Sequence, residues 1–304
     1  MKKVLLILVL IIPILFLVDK YASKNQYDNL EAFPLENIKK ATITKKTKTL
    51  GIAFGGGGVR GFMHLGVIKA LEEAGIKADI VTGTSAGSIA ASLYASGMNY
   101  KQIEKVVTSL KKEDIADINI FSDGGIIAGK KLSSWIQYHT NNLHIQDTPI
   151  KLGITVTDLT QEKPLLITQG DMGKAVQTSS TVPVAFVPVN SKGNILIDGG
   201  ILSLIPIKFA KAMGADIVIG VDIYCGKKHK PKEEMLNIAM ATLRLQSCEI
   251  SKVEQQEADF IIQPDFEPKS FSSFDSKEQS IEAGYKATKI MIEELKKRLV
   301  VSSI

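Results

Sequence analysis

From Thr49 onward the sequence predicts one α/β domain on a mostly parallel sheet, and two observations carry that expectation. Short β-branched runs alternate with segments of helical periodicity, the pattern of βαβ units. Glycine-rich turns stand where a strand run hands over to a helical run, at residues 55–58 and around Gly83 and Gly87. The composition agrees: 304 residues, 45% hydrophobic and 23% charged, can bury a sizeable core without cross-links. The same figures exclude a disordered, collagen-like or polytopic membrane protein. A net charge of +5, from 37 Lys and Arg against 32 Asp and Glu, is too slight for a nucleic-acid binder.

The chain opens with Lys2 and Lys3 before an unbroken apolar run at 4–18, a charged n-region followed by the h-region of an export signal. At about 1.5 Å per residue the run spans roughly 22 Å against a hydrocarbon core of about 30 Å. Pro13 weakens it as a helix, Lys20 stands where signal cleavage wants a small residue, and no lipobox cysteine follows. Residues 1–20 are therefore expected to be an N-terminal signal anchor, with a poorly cleaved signal peptide as the alternative. Either places the domain outside the cytoplasm, periplasmic or extracellular, and the anchor keeps it membrane-associated. Residues 21–48 read as a basic linker, ending in a stretch with five lysines and no acid, and residues 49–304 as the domain.

Within the domain, residues 50–54 read as a buried strand. Residues 62–74 form a helix with Phe62, Leu65, Val67, Ile68 and Leu71 mostly on one side, closed by Gly75. Residues 79–82 are a second strand and 86–96 a small-residue helix. Further strands are expected at 151–157, 195–197 and 216–222, with helices at 101–112, 130–141, 171–179, 206–213, 233–248 and 281–299. There is no internal repeat. Cys225, Cys248, His64, His139, His144 and His229 make neither a CxxC pair nor a close His cluster, so no metal is expected. The two cysteines allow one disulfide in an oxidising compartment, but a buried free thiol is the expected state of Cys248.

Three motifs carry chemistry. Gly83-Thr84-Ser85-Ala86-Gly87 matches GxSxG between a strand and a helix, the setting of a nucleophile elbow. Glycines beside the serine permit a strained turn that lifts its Oγ clear of the sheet, and the helix that follows aims its amides at the reacting group. An ordinary glycine-rich turn matches the same pentapeptide, so the neighbours decide. Gly55-Gly56-Gly57-Gly58-Val59-Arg60-Gly61 exposes backbone amides suited to an oxyanion, or to a phosphate. Its Gly56, Gly58 and Gly61 fit GxGxxG, yet the dinucleotide reading needs an acid ending the next strand, where Gly83-Thr84-Ser85 stands instead. Residues 124–131 fit GxxxxGK but place Lys131 where a P-loop needs a hydroxyl. The third motif, Asp198-Gly199-Gly200, sets a carboxylate at a strand's carboxyl end, within reach of a serine on a neighbouring strand end. By itself it also fits an Asp-Gly turn.

Together and in this order the motifs resemble the patatin-like phospholipase family, above all its bacterial members and the catalytic domain of neuropathy target esterase. The likeness runs from about residue 50 to about residue 288. It includes Arg60-Gly61 with His64-Leu65-Gly66-Val67, Thr157-Asp158-Leu159, Pro183 with Phe186-Val187-Pro188-Val189, Gly214-Ala215-Asp216 and Ala283-Gly284-Tyr285. The resemblance implies a three-layer α/β/α fold, a Ser85–Asp198 dyad and an oxyanion hole from the amides of Gly56, Gly57 and Gly58. Arg60, Gly61, Gly83, Gly87, Gly199 and Gly200 are expected to support these motifs. The implied reaction is metal-independent hydrolysis of lipid acyl esters, with no other cofactor expected, and the substrate is expected to be presented at a membrane surface. One departure is that family members usually carry an asparagine shortly after the Asp-Gly-Gly turn, where this chain has Ser203-Leu204.

With an ordinary pKa of about 3.9, Asp198 is a weak base, so electrostatic preorganisation is expected to carry much of the barrier. Arg60 is expected to brace the glycine loop by pairing with a carboxylate, and His64 to pack behind it. Two alternatives stay open. A Ser85–Asp198–His229 triad is available in chain order, although the lysines around His229 disfavour an imidazolium. A non-catalytic lipid-binding protein on the same fold is the other, against which the intact motifs argue. An acyl slot is expected to draw two or three of Phe186, Val187, Ile201, Leu202, Leu204, Phe271 and Phe274 out of the core. Lysines at 39–48 and 227–232 would attract anionic head groups.

Overall fold

The computed structural model describes residues 25–43, 47–118, 125–227, 231, 233–268 and 274–300. The expected signal anchor at 1–20 lies outside them, as do His229 and Phe271. No helix among the described residues is long and apolar enough to cross a membrane.

In chain order the structure begins with β1 (Asn25–Gln26), β2 (Glu31–Phe33), β3 (Leu50–Phe54), α1 (Phe62–Glu73), β4 (Ile80–Gly83), α2 (Ala86–Ala95), α3 (Tyr100–Ser109), α4 (Lys112–Ile115), β5 (Gly125–Ile127) and α5 (Lys130–His139). It continues through β6 (Lys151–Asp158), β7 (Lys163–Gln169), α6 (Met172–Ser179), β8 (Val184–Phe186), β9 (Val189–Ser191), β10 (Asn194–Asp198) and α7 (Ile207–Ala212). It closes with β11 (Ile217–Val221), α8 (Met235–Gln255), β12 (Phe260–Ile262), α9 (Lys277–Lys289) and α10 (Ile292–Leu299).

The main sheet runs β1-β9-β10-β6-β4-β3-β11-β12, and β7 joins β6 to β2. From β6 through β4, β3 and β11 to β12 every pairing is parallel, while β7, β9 and β10 add antiparallel pairs. Alternation along the central strands sorts their side chains between two cores. Ile52, Phe54, Val81, Ile219 and Val221 join α1 and α2 on one face. Ala53 and Val218 meet Ile207 and Ala210 of α7 on the other. Helices thus cover both faces of a mostly parallel sheet, in three layers. Each large apolar side chain fully buried this way contributes about 1.5–3 kcal/mol. Helices α1 and α9 cross at Gly66 and Gly284, where an added Cβ would lie 1.9 Å from the Ile281 carbonyl oxygen and 2.0 Å from that of Met63. Both glycines are needed for that backbone contact.

Register on β6 positions the site. The first half of β6 pairs with β4, Gly83 opposite Ile154. The second half pairs on the same edge with antiparallel β10, Asp198 opposite Val156. The two strands thus approach end to end along one neighbour and finish two residues apart.

Three expectations are corrected. The stretch read as a basic linker is not all tether: β1 pairs with β9, β2 with β7, and Leu30 is buried. Strands of two and three residues have no room for a period, so only the open edges of β7 and β9 identify them. The helix expected at 281–299 is two, α9 and α10, broken at residues 290–291. Cys225 and Cys248 form a disulfide where a free thiol was expected at Cys248. The physical reason lies in Asp222, whose Oδ1 accepts the amides of Tyr224 and Cys225 and folds the turn after β11 against α8.

Candidate active site

The β4 strand ends at Gly83, and the chain turns sharply through Ser85 into α2. Ser85 has φ 52° and ψ −122°, a backbone conformation that a residue with a Cβ adopts only when its surroundings impose it. Several bonds do so here. The Ser85 carbonyl accepts the amide and the hydroxyl of Ser88, at 2.8 and 2.6 Å. Its amide donates to Ser179 Oγ at 2.8 Å, and that hydroxyl donates on to the Thr155 carbonyl at 2.7 Å. Thr84 is tied to the Phe54 carbonyl through its amide and to the Ser203 carbonyl through Oγ1. A Cβ on Gly87 would lie 2.0 Å from the Phe54 carbonyl oxygen, so α2 sits flush against the end of β3 only with glycine there.

Asp198 closes β10 and is 4% exposed. Its Oδ1 accepts the Gly200 amide at 2.7 Å, and the neighbouring Ser85 side chain, like that amide, favours the ionised form. Gly199 lets the turn pass the Thr155 carbonyl, 2.4 Å from where a Cβ would stand. Burial raises the Asp198 pKa to about 6, against the opposing effects of Ser85 and the Gly200 amide. The carboxylate is thus a stronger base than an ordinary aspartate.

The glycine loop lies beside the serine, a Cβ on Gly56 falling 3.3 Å from Ser85 Cβ. Gly56 does not have the role expected of it. Its amide donates to the Leu204 carbonyl at 3.0 Å, as that of Gly55 does to Val221. Among the described residues the amides of Gly57 and Gly58 meet no acceptor, and Gly58 shares the cavity wall with Ser85. Gly61 packs on Ala86, its added Cβ 3.1 Å from that of Ala86.

Arg60 is buried behind this loop and forms an ion pair with Glu267. Its guanidinium stands 5.3 Å from the ring centroid of Tyr224, which Arg244 approaches to 4.9 Å. Arg244 also donates to the Tyr224 carbonyl from Nε and Nη2. Sequence reading named neither Glu267, Tyr224 nor Arg244, because no local pattern connects them to Arg60. His64 is fully buried with Nε2 2.8 Å from the Gly55 carbonyl oxygen, and burial pulls its pKa down to about 4. It is neutral, and it holds the start of the loop.

A cavity of about 280 Å³ opens beside Ser85, walled by Phe62, Leu65, Ile103, Val107, Phe186 and Phe274 among others. Phe186 and Phe274 line it as expected of slot residues, whereas Val187 and Leu204 are buried in the body of the fold. The wall from α3 was missed. Its signal was the spacing of Ile103, Val107 and Leu110, an apolar stripe at helical period.

The family model of patatin-like phospholipase matches residues 52–211, more than half of the chain and both motifs around Ser85 and Asp198. The chain belongs to the patatin-like phospholipase family. Over 181 residues it is 30% identical to "Lysophospholipase NTE1" of Coccidioides immitis, covering 58% of this chain and 12% of the relative. Over 184 residues it is 31% identical to "Patatin-like phospholipase domain-containing protein 6" of Mus musculus, covering 58% and 13%. The chain thus matches about an eighth of the length of these curated relatives. Among solved structures, VipD from Legionella pneumophila shares the fold, with a TM-score of 0.55 at 19% identity over 90% of this chain and 71% of VipD. Other residues of the family pattern serve the scaffold. Asp158 accepts the amides of Thr160 and Gln161 in the β6–β7 turn, and Asp216 accepts the Thr49 amide.

Proposed function

We propose that the protein is a serine hydrolase of lipid acyl esters, a phospholipase A or lysophospholipase, working through Ser85 and Asp198. The observation that carries the reading is a serine on a strained strand-to-helix turn, lining an apolar cavity beside the buried carboxylate of Asp198. Asp198 takes the Oγ proton as Oγ attacks the acyl carbonyl, and the oxyanion is held by the Gly57 and Gly58 amides. The protonated Asp198 then gives its proton to the departing alkoxide. Water, deprotonated by Asp198, attacks the acyl-enzyme carbonyl, and Asp198 passes that proton to the departing Ser85 Oγ. A base with a pKa of about 6 is half-ionised at mildly acidic pH and mostly ionised at neutrality, which suits an aspartate without an imidazole.

The cavity would take the acyl chain, with the head group outside and the enzyme working at a lipid surface. The export pattern at residues 2–18 and the Cys225–Cys248 disulfide support a location outside the cytoplasm, at the membrane. The test uses a fluorophosphonate probe with phosphatidylcholine and lysophosphatidylcholine vesicles or micelles. The wild-type chain should be labelled at Ser85 and release fatty acid, and S85A should do neither while remaining folded. Turnover retained in S85A would overturn the assignment.

A further inference from the structure

Three hydrogen bonds that shape the site end on one short segment. Thr84 Oγ1 donates to the Ser203 carbonyl at 2.9 Å, the Gly56 amide to the Leu204 carbonyl at 3.0 Å, and Thr82 Oγ1 to the Pro206 carbonyl at 2.9 Å. Their donors belong to the elbow, the glycine loop and β4. The segment 203–206 is therefore the template against which the nucleophile and the oxyanion loop are spaced. It follows directly on the Asp198 turn, to which the Ser203 amide is bonded through the Gly199 carbonyl at 2.9 Å.

The segment is anchored from outside the site. Ser203 is 3% exposed, and its Oγ meets both oxygens of Glu254, at 3.0 and 3.2 Å. Glu254 lies in the last turn of α8, is 5% exposed, and receives the Lys208 amide at 3.4 Å from the start of α7. The charged groups facing it are Lys208 and Glu257, which pair with each other at 3.5 Å. A carboxylate this deeply buried is costly to place, and packing alone would be better served by a leucine. What the acid provides is two acceptor oxygens turned toward one serine.

We propose that Glu254 is a positioning residue for the reaction: through Ser203 it fixes the segment 203–206, and through that segment the placement of Ser85 against the glycine loop. The inference rests on the hydrolase reading above. Glu254 itself makes no bond to Ser85 or Asp198.

The test measures kcat and KM of the full chain on 4-nitrophenyl laurate, with fluorophosphonate labelling rate and urea unfolding alongside. E254A should lower kcat and labelling rate about ten- to a hundredfold with KM little changed, because misplacement of reacting groups acts on the chemical step. E254Q keeps an acceptor and a polar group toward Ser203, so it should recover kcat to within about threefold of the wild type. S203A deletes one oxygen and should reproduce the loss in kcat; it decides the matter if E254A fails to fold. Wild-type kcat in folded S203A, or an E254Q as impaired as E254A, overturns the proposal. A wild-type chain that neither labels nor turns over instead removes the hydrolase reading, whereas active wild type, dead S85A and normal S203A remove only the role of Glu254.

Discussion

Replacing Asp198 by asparagine should make the protein inactive and, at neutral to alkaline pH, more stable. The Asp198 carboxyl is 4% exposed, and burial outweighs the opposing effects of Ser85 and the Gly200 amide, moving its pKa from 3.8 to about 6. An acid whose pKa is raised by folding holds its proton in the native state where the unfolded chain has lost it. Its favourable contribution is fully present below the unfolded value and disappears as pH rises through the folded one. Above pH 6 the ionised group weakens the fold by about 3 kcal/mol relative to a neutral one, and at pH 4.5 by about 1 kcal/mol. Asparagine has the same shape, keeps an oxygen for the Gly200 amide, and turns an N–H toward Ser85. Urea unfolding of wild type and D198N at both pH values should thus show a gain for the variant that is about 2 kcal/mol larger at pH 8 than at pH 4.5. In parallel, kcat/KM of the wild type should rise with pH through about 6 and level off. A gain that is the same at both pH values, or a wild type that is the more stable at pH 8, would mean that the carboxylate is comfortable in its site. The aspartate would then lack the basicity assigned to it.

Two further outcomes follow from the packing. G87A should fail to fold into an active protein, since the added methyl would sit 2.0 Å from the Phe54 carbonyl oxygen; soluble G87A with normal labelling would contradict the flush contact of α2 with β3. The disulfide joins residues 23 apart, and closing a loop of that length contributes about 3 kcal/mol in the chain-entropy account, so C225S should lower unfolding stability by about that amount. Chain recovered from the membrane fraction should gain the mass of two hydrogens on reduction, and a fully reduced pair in that material would count against an exported domain.

How much of the fold was legible depended on whether an element carries its own period. The fully buried β3 and β11 and the long β6 read as strands because nearly every residue is apolar or β-branched. β7 did not, although it is seven residues long: Pro164 near its start marks it as a non-strand, and it is tolerated because the antiparallel partner, Thr157, meets it at the strand's end. β8, β9 and β12, at three residues each, exist because neighbouring edges were free to pair. The split between α9 and α10 is equally invisible, since the apolar residues continue through the break.

The candidate site divides the same way. Ser85, Asp198 and the glycine loop announce themselves because each chemical group is flanked by the glycines its backbone requires, so motif and function are local. Gly56 shows the limit of that reasoning: its amide has the right chemistry and the right neighbours, and is still engaged by the Leu204 carbonyl, from a segment nearly 150 residues away in sequence, on the order set by the fold's topology. Ser203 and Glu254 stand in the same relation, as do Arg60 and Glu267. The departure from the family's usual asparagine after the Asp-Gly-Gly turn marked the place of the first pair without revealing its partner. Even the meeting of Ser85 with Asp198 is not a property of either motif. It follows from β6, long enough to pair β4 along one half and antiparallel β10 along the other. Both strands stop at their carboxyl ends near the middle of β6, Gly83 opposite Ile154 and Asp198 opposite Val156, and the turn after Gly83 carries Ser85 to the same place.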